Sequence, residues 1–298
     1  MGLRCTLCPR RCGALRTETE GRGFCGMPAA PVVARAALHH WEEPCISGDR
    51  GSGTVFFSGC VLGCIFCQNG RISRERWGKR VSAARLREIF EALVSQGAHN
   101  INLVSPTPFA PAIREALAEP LPVPVVWNTG GYERVETLRT LEGKIQIWLP
   151  DLKYADSALA ARYSGAADYF PAAAVAIQEM HRQVGDYVLE NGLLRRGVLI
   201  RHLLLPGALE NAKAVMDWVA GTFRPGQVLF SLMAQYTPQP GAQGLLGRRV
   251  TGAEYRSALA YLENLGIVDG YRQDAASAQA EYTPAFDLTG VAEEADGA

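Results

Sequence analysis

The alternation of apolar and polar residues divides this chain into three parts. From residue 81 onward, short apolar runs alternate with segments whose apolar positions recur every three to four residues, which predicts strands connected by helices. Residues 1–30 are instead rich in Cys, Gly and Arg, residues 31–50 link them to the following domain, and residues 271–298 are polar with an acidic, alanine-rich end. We therefore expect a Cys-rich N-terminal segment and linker (1–50), an α/β domain (51–270) and a loose C-terminal tail (271–298).

Six apolar runs in the α/β domain are predicted as strands: 54–57, 101–105, 123–127, 145–149, 197–205 and 227–233. Helices are predicted near 82–97, 109–118, 133–141, 156–163, 172–185, 210–220 and 251–265. Strands that alternate with helices favour a parallel sheet with right-handed crossovers. The predicted fold class is α/β, a partial (βα)6 TIM-like barrel rather than an open doubly wound sheet. Chemistry in such barrels lies at the carboxyl ends of the strands.

All eight cysteines lie in the first 67 residues, and three of them directly follow the first predicted strand. Cys60, Cys64 and Cys67 have the spacing C-x3-C-x2-C. A zinc site or an ordinary cubane cluster uses four protein ligands. Three thiolates can hold three irons of a [4Fe-4S] cluster and leave the fourth iron open to a substrate or cofactor. The alternative is a structural metal site.

The other cysteine group is Cys5, Cys8, Cys12 and Cys25, with the spacing C-x2-C-x3-C-x12-C. The first thirty residues contain almost no large apolar side chains, so a bound metal would have to supply their folding free energy. Zinc is the simpler interpretation, and a second iron–sulfur cluster is its rival. We expect this metal to stabilise only its own segment, so that its loss would loosen residues 1–30 and leave cofactor binding near normal.

The linker carries a dense polar and aromatic patch: His39, His40, Trp41, Glu42, Glu43 and Cys45. Histidine beside carboxylates can perform acid–base chemistry. A solvated turn in which Trp41 packs on the barrel is the interpretation that we favour, with Cys45 as a free thiol.

Polar residues also stand at the ends of the later predicted strands: Ser105, Asn128, Thr129, Asp151, Lys153, Arg201, His202, Gln235 and Tyr236. In a parallel barrel these residues would lie around one mouth. Asp151 and Lys153 are two residues apart, so an extended backbone puts them on the same side, and we expect both to face the mouth. The alternative is that Asp151 and Lys153 form a structural ion pair and that Arg201 is a structural clamp.

The C-x3-C-x2-C spacing, the strand before it and Phe66 ahead of the last cysteine resemble the radical S-adenosylmethionine (SAM) superfamily. The resemblance implies that the unique iron binds the amino and carboxylate groups of SAM. It also implies that the reduced cluster cleaves SAM to a 5′-deoxyadenosyl radical. Over about residues 54–240 the chain is similar to the pyruvate formate-lyase activating enzymes, through the Asp-x-Lys at Asp151 and Lys153 and through Arg201 followed by Pro206-Gly207.

That resemblance implies catalytic roles for Lys153 and Arg201. The resemblance and the positions at the strand ends together lead us to expect cofactor-binding roles for Phe66, Ser105, Asn128, Thr129, Asp151, Arg201, His202 and Gln235. A monovalent cation is implied at Asn128, Thr129 and Asp151, where the family has Asp in place of Asn128. Ser105-Pro106-Thr107 replaces the family's Gly-Gly-Glu, so binding of the SAM amine would rely on Ser105 or on backbone carbonyls. The N-terminal C-x-L-C-P-x-x-C looks like a related subgroup without an assigned substrate.

The resemblance further implies a reducing electron donor such as flavodoxin or ferredoxin, and a glycine of a glycyl-radical enzyme as substrate. A small molecule or another macromolecule is the alternative substrate, and a non-catalytic electron-transfer or metal-sensing protein is the alternative class. Thirty basic and thirty acidic residues give a net charge of zero, so no global field attracts nucleic acid or a membrane. No apolar run reaches the roughly 18 to 20 residues of a spanning helix, and we expect a cytoplasmic protein.

Overall fold

A computed structural model describes residues 3–273 and 284–292 of the chain. The strands are β1 (Leu3–Arg4), β2 (Leu15–Arg16), β3 (Val32–His39), β4 (Ser52–Phe57), β5 (Lys79–Arg80), β6 (Ile101–Val104), β7 (Val125–Thr129), β8 (Ile147–Pro150), β9 (Val188–Glu190), β10 (Leu193–Leu203), β11 (Leu229–Met233) and β12 (Gly270–Arg272). The helices are α1 (Pro44–Ser47), α2 (Gly70–Ser73), α3 (Ala83–Ser95), α4 (Ala110–Ala116), α5 (Val135–Arg139), α6 (Ser157–Ser164), α7 (Tyr169–Val184), α8 (Leu209–Thr222) and α9 (Gly252–Asn264). Short 3-10 turns, Thr107–Phe109 and Gly244–Gly247, precede α4 and α9.

Within the described residues, β3 to β12 form one ten-stranded sheet in the order β12-β11-β10-β8-β7-β6-β4-β3-β5, with β9 beside β10. All neighbours between β4 and β12 on this path are parallel. Their order in space follows their order in the chain, whereas a doubly wound sheet would reverse direction. The predicted partial α/β barrel is therefore confirmed, and β12 adds one parallel strand to the six that were predicted.

Side-chain caps fix the first residues of two barrel helices, α3 and α9. The Ser82 hydroxyl accepts the backbone N–H of Arg85 at the start of α3, which is an N-cap that satisfies one of the unpaired donors of the first turn. Thr251 and Glu254 form a reciprocal capping box at the start of α9, as in the most favourable helix starts. These contacts explain why the predicted bounds of both helices agree with the structure.

The linker contributes a strand that the sequence analysis did not predict. Residues Val32–His39 form β3, which pairs antiparallel with β4. Val33 and Ala34 are fully buried, although the three alanines of this strand, at positions 34, 36 and 37, weaken its strand signal. The sheet thus includes Val32–His39, which lie N-terminal to the domain boundary that we expected at residue 50.

A hairpin between β9 and β10 was also missed. Asn191 and Gly192 connect the two strands with φ angles of 52° and 78°. Two successive positive φ angles define a type I′ turn, for which Asn-Gly is the preferred sequence. This signal was present in the sequence, and it explains why β10 begins at Leu193 rather than at the predicted residue 197.

The described part of the C-terminal tail is packed rather than loose. The backbone N–H groups of Ala36 and Leu288 donate to the Thr289 and Ala34 carbonyls, which ties residues 284–292 to β3. Phe286 is buried beside them. The remainder of the predicted tail beyond β12 lies outside the described residues. None of the described helices is both long enough and apolar enough to cross a membrane.

The segment between β3 and β4 is a solvated turn only at its start. His40 and Trp41 are exposed, whereas the residues after them enter the barrel interior. Cys45 and Ile46 in α1 are fully buried, and they pack against apolar residues of the barrel strands: Val126, Ile147, Leu149, Leu199 and Leu229. Glu43 is also buried. The fold therefore brings the linker's carboxylates toward the polar ends of the strands.

Candidate active site

A cavity of about 210 Å³ opens at the carboxyl ends of the barrel strands and extends into the barrel. The predicted site residues among its lining side chains are Cys60, Cys64, Phe66, Cys67, Ser105, Asn128, Thr129, Asp151, Lys153, Arg201 and Gln235. The structure thus brings together the cysteine loop after β4 and the polar residues after the later strands. Asp151 and Lys153 both face this cavity, as their spacing predicted.

The loop that carries the three cysteines is shaped by two glycines and by contacts to sulfur. Gly59 and Gly63 have φ angles of 76° and 64°, a left-handed conformation that glycine adopts without strain. The Leu62 backbone N–H donates to Cys60 Sγ at 3.4 Å, and the Ser164 hydroxyl donates to Cys64 Sγ at 3.1 Å. Hydrogen bonds to sulfur stabilise the thiolate form that binds metal.

Burial opposes ionisation of these thiols while no metal is bound. It raises the pKa of Cys60 to about 12. It also raises the pKa of Cys64, although the charge of the Lys153 ammonium acts in the opposite direction. Metal binding removes such protons outright, so an iron ion and the neighbouring lysine would both favour the thiolates.

Among the described residues, no group of three or more His, Cys, Asp or Glu side chains is arranged so that it could hold a metal ion as it stands. The fit of the cysteine loop to an iron–sulfur cluster therefore rests on its donor chemistry and on its surroundings. Three thiols from one loop share the cavity, and their charges would repel one another. Cationic iron between them would turn this repulsion into attraction.

Arg201 is the centre of the polar network at the bottom of the cavity. Its Nε donates to Asp151 Oδ1 at 2.8 Å, its Nη1 to Glu42 Oε1 at 2.5 Å and its Nη2 to Asn128 Oδ1 at 2.7 Å. Burial disfavours its charge, but Asp151 and Glu42 outweigh that effect and raise the pKa of Arg201. The guanidinium is thus held in one orientation by three different partners.

Lys153 completes the network from the side of the cysteine loop. Its Nζ donates to Asp151 Oδ2 at 2.6 Å, and both side chains are less than one-fifth exposed. Burial alone would raise the pKa of Asp151, but Arg201 and Lys153 outweigh it and the pKa is lowered. Asp151 is therefore a carboxylate between two cations.

Glu42 is the residue of this network that the sequence analysis did not place. Its Oε1 accepts from Arg201, and its Oε2 accepts from Asn128 Nδ2 at 2.8 Å and from Asn102 Nδ2 at 3.3 Å. Two consecutive glutamates after an apolar strand were the available signal. With Glu42 included, two carboxylates balance the charges of Lys153 and Arg201.

Glu43 lies deeper in the barrel than Glu42. It is 3% exposed, and its Oε1 accepts from the Ser231 hydroxyl of β11 at 2.8 Å. Its Oε2 has no hydrogen-bond partner in the described part of the chain. Burial raises the pKa of Glu43 to about 7, although the nearby Arg201 guanidinium opposes this effect. The barrel interior therefore contains a carboxyl group that titrates near neutral pH.

His202 does not belong to the cavity, and the expectation that it binds a cofactor is corrected. It is 1% exposed, and its Nδ1 lies 2.6 Å from the Leu152 carbonyl oxygen. Successive side chains of a strand point to opposite faces, so Arg201 and Leu203 line the cavity while His202 faces away from it. Burial lowers the pKa of His202 to about 4, which indicates a neutral structural residue.

The monovalent cation that the resemblance implied also has no suitable ligand set. Asn128 Oδ1 accepts from Arg201, and both Asp151 oxygens accept from cationic side chains. The Thr129 hydroxyl donates to the buried Glu133 at 2.5 Å rather than pointing to Asp151. The Asp151 and Asn128 oxygens that would bind a cation therefore already accept hydrogen bonds from the protein's own ammonium and guanidinium groups.

The four N-terminal cysteines form an electrostatically coupled group. The pKa of Cys8 is raised to about 12, mainly by burial, and the charges of Cys25 and Cys5 contribute in the same direction. Backbone amides two residues later act in the opposite direction: that of Arg10 on Cys8 and that of Met27 on Cys25. Four neighbouring thiols, two of which have such amide contacts, have the donor chemistry of a zinc or iron site.

These features define an α/β barrel with a cysteine loop and a charged cavity at the carboxyl ends of its strands. The radical SAM superfamily model matches residues 54–218, more than half of the chain. The chain belongs to the radical SAM superfamily, whose members bind SAM and a [4Fe-4S] cluster.

One relative in sequence and two solved structures are similar to this chain. An uncharacterized protein of Methanocaldococcus jannaschii is 29% identical, over 88% of this chain and 75% of the relative. The hydrogenase maturase HydG is 14% identical, with a TM-score of 0.50, over 71% of this chain and 49% of HydG. SuiB of Streptococcus suis, crystallised with SAM, is 12% identical, with a TM-score of 0.45, over 72% of this chain and 45% of SuiB. The chain spans about half the length of these two enzymes, and the similarity to HydG shows a common fold.

Proposed function

We propose that this protein is a radical SAM enzyme whose cluster is bound by Cys60, Cys64 and Cys67. When bound, the cluster and SAM supply the chemistry: one electron from an external donor cleaves SAM to methionine and a 5′-deoxyadenosyl radical, which takes a hydrogen atom from the substrate. The residues of the chain bind and orient these groups and exclude water. The observation that carries the proposal is the common cavity of the three cysteines and the Asp151–Lys153–Arg201 network.

Lys153 and Arg201 are proposed to bind the anionic parts of SAM and of the substrate. Both cations keep N–H donors that their contacts to Asp151, Glu42 and Asn128 do not use. Burial opposes the charge of Lys153, but Asp151 outweighs it and raises the pKa of Lys153, and the nearby Cys64 and Cys67 act in the same direction. A carboxylate bound beside the cluster would therefore meet a fixed ammonium group. Asp151 and Glu42 act by holding the two cations in place.

The other cavity residues are proposed to shape the SAM site. Phe66 is buried against the edges of three tyrosines: Tyr154, Tyr163 and Tyr236. Ser105 has a φ of 58°, an uncommon conformation outside glycine that points to a functional constraint. With Gln235 and the backbone of Gly130, these residues provide polar contacts around an apolar wall, as ligand sites commonly do.

The substrate that we propose is a backbone glycine of a glycyl-radical enzyme, with flavodoxin or ferredoxin as electron donor. The Asp-x-Lys and Arg…Pro-Gly motifs support this proposal through their resemblance to the activating enzymes. A small molecule is the second candidate, because the cavity extends into the barrel as far as His39 and Glu42. An iron–sulfur protein without catalysis remains the alternative class.

The four N-terminal cysteines are proposed to bind a structural metal, either zinc or a second iron–sulfur cluster. Elemental analysis of the purified protein separates the two, because zinc and iron are measured independently. Cys12 is exposed, so a Cys12→Ser protein should lose this metal with little change in packing.

An anaerobic assay tests the catalytic proposal. The reconstituted protein is incubated with SAM and dithionite, and 5′-deoxyadenosine is measured. Deuterium transfer from a labelled candidate substrate into 5′-deoxyadenosine then identifies the hydrogen donor. A reduced, cluster-loaded protein that forms no 5′-deoxyadenosine would favour the electron-transfer alternative.

A further inference from the structure

We propose that Arg10 connects the N-terminal cysteine group to the catalytic cysteine loop, so that metal binding by the first group controls the order of the second. This inference rests on the proposed function only in that residues 60–67 are taken to hold the catalytic cluster. It replaces our expectation that the N-terminal metal acts on its own segment alone.

The Arg10 guanidinium lies against two pieces of backbone at the cluster site. Its Nε donates to the Val61 carbonyl at 3.0 Å, and its Nη2 donates to the Leu62 carbonyl at 3.2 Å. The same Nη2 donates to the Ser164 carbonyl at 2.6 Å, and Nη1 donates to the Gly165 carbonyl. One side chain therefore holds the loop and the end of α6 together.

Both of these segments contact the cluster thiols, the first through a backbone amide and the second through a side chain. Val61 and Leu62 lie between Cys60 and Cys64 in the sequence, and the Leu62 N–H donates to Cys60 Sγ. The Ser164 hydroxyl donates to Cys64 Sγ. Displacement of Arg10 would therefore release two groups that position the sulfur atoms.

The N-terminal segment also packs against the two glycines of the cluster loop. A Cβ atom at Gly59 would lie 2.2 Å from Met27 Cγ, and one at Gly63 would lie 3.3 Å from the Phe24 ring. The Phe24 ring itself lies 3.8 Å from the Arg10 guanidinium carbon, within the range of a cation–π contact. Phe24 and Met27 lie close to Cys25 in the sequence. The segment around Cys25, like the segment around Cys8, therefore contacts the cluster loop.

The position of Arg10 depends in turn on Cys8. The Arg10 backbone amide interacts with the Cys8 sulfur, and the Arg11 N–H donates to the Cys8 carbonyl at 3.1 Å. Arg10 thus belongs to the turn that wraps Cys8. Because metal binding would fix Cys8 and Cys12 on either side of Arg10, loss of the metal would free the guanidinium. The N-terminal segment would then sense metal supply on behalf of the catalytic site.

Hydrogen exchange of the full chain, kept anaerobic and loaded with metal, tests the contact. We expect the backbone amides of residues 59–65 to exchange about tenfold faster in Arg10→Ala, since their opening would lose the bonds made by the guanidinium. The exchange rate in Arg10→Lys should lie between those of Arg10→Ala and the wild type, because lysine keeps the charge but lacks the several N–H donors of the planar guanidinium. Arg22→Ala, an exposed arginine of the same segment, is the matched control and should match the wild type.

A double-mutant cycle with Cys12→Ser tests the coupling to the metal. Cys12→Ser should lower the zinc or iron content and speed exchange of residues 59–65. In the Arg10→Ala background, Cys12→Ser should increase the exchange rate of residues 59–65 by a much smaller factor. Arg10→Lys is used as the background if Arg10→Ala does not fold. Additive effects, unchanged metal content in Cys12→Ser, or unchanged exchange in the Arg10 variants would each overturn the proposal.

This measurement is independent of turnover. A wild-type protein that forms no 5′-deoxyadenosine would contradict the proposed function, yet its loop exchange would still report on the Arg10 contact. Normal 5′-deoxyadenosine formation with unchanged exchange in Arg10→Ala would contradict only the coupling.

Discussion

Arg201 Nη1 lies 2.5 Å from Glu42 Oε1, although the two residues are 159 positions apart in the chain. Glu42 comes from the segment that enters the barrel before β4, and Arg201 comes from β10. The pair joins the first part of the sheet to its far side across the interior. It also orients the guanidinium that contacts Asp151 and Asn128, so the charged cavity depends on a residue outside the matched family region.

The Glu42–Arg201 contact predicts that Glu42→Gln disturbs both stability and SAM cleavage. The amide places a donor where Oε2 now accepts from Asn102 and Asn128, and it leaves Arg201 with less compensating charge. We expect the free energy of unfolding to fall by about 1–3 kcal/mol and 5′-deoxyadenosine formation to decrease. Urea titration and the anaerobic assay measure these changes.

Glu263→Gln is the matched control for this variant. Glu263 also pairs with an arginine, Arg272, but both side chains are about half exposed, and such pairs contribute little to stability. Equal effects of the two substitutions would contradict the role of Glu42.

The position of Asp151 between two cations predicts weaker SAM binding when it is removed. Asp151→Ala frees Lys153 and Arg201 from their fixed positions, and we expect the Kd for SAM to rise about tenfold, or about 1.4 kcal/mol. Circular dichroism should show a folded protein. Glu210→Ala, which removes the partner of the surface residue Lys213, should leave the Kd unchanged. An unchanged Kd in Asp151→Ala would indicate that Asp151 and Lys153 form only a structural ion pair.

The raised pKa of Glu43 predicts that the stability of the protein depends on pH. Its pKa rises from 4.5 to about 7 on folding because of burial, so the folded state favours the protonated form. This contribution is complete below pH 4.5 and is lost as the pH rises through about 7. Between pH 4.5 and about pH 7 the free energy of unfolding of the wild type should fall by about 3 kcal/mol relative to that of Glu43→Gln, whose side chain stays neutral.

Urea titrations of the wild type and Glu43→Gln at about pH 5 and about pH 8 measure this difference. The exposed Glu88→Gln serves as the control and should follow the wild type at both pH values. If the difference between wild type and Glu43→Gln did not change with pH, Glu43 would be ionised in the folded state over the whole range.

The sequence predicted the features that depend on local pattern. The strand before Cys60, the cap at Ser82 and the spacing of Asp151 and Lys153 are each encoded within a few residues. For this reason the barrel, the cysteine loop and the inward position of the Asp-x-Lys pair could be expected. The structure agrees with these expectations because a two-residue period in strands fixes which side chains share a face.

What the sequence did not predict depends on contacts between distant residues. The pattern around Arg201 and His202 allowed either side chain to face the cavity, because the register of a buried strand is set by its neighbours. Glu42 became part of the site only through the path of residues 40–48 into the barrel. The contact between Arg10 and the cluster loop likewise joins segments that are 51 residues apart or more.

The most direct test of the account is 5′-deoxyadenosine formation by wild type, Cys64→Ala and Cys45→Ala under anaerobic, reducing conditions. Cys64 lines the cavity, whereas Cys45 is also a buried thiol but lies in α1, outside the lining of that cavity. We predict that the wild type and Cys45→Ala form 5′-deoxyadenosine and that Cys64→Ala forms none. Formation of 5′-deoxyadenosine by Cys64→Ala would contradict the assignment of Cys60, Cys64 and Cys67 as ligands of the catalytic cluster.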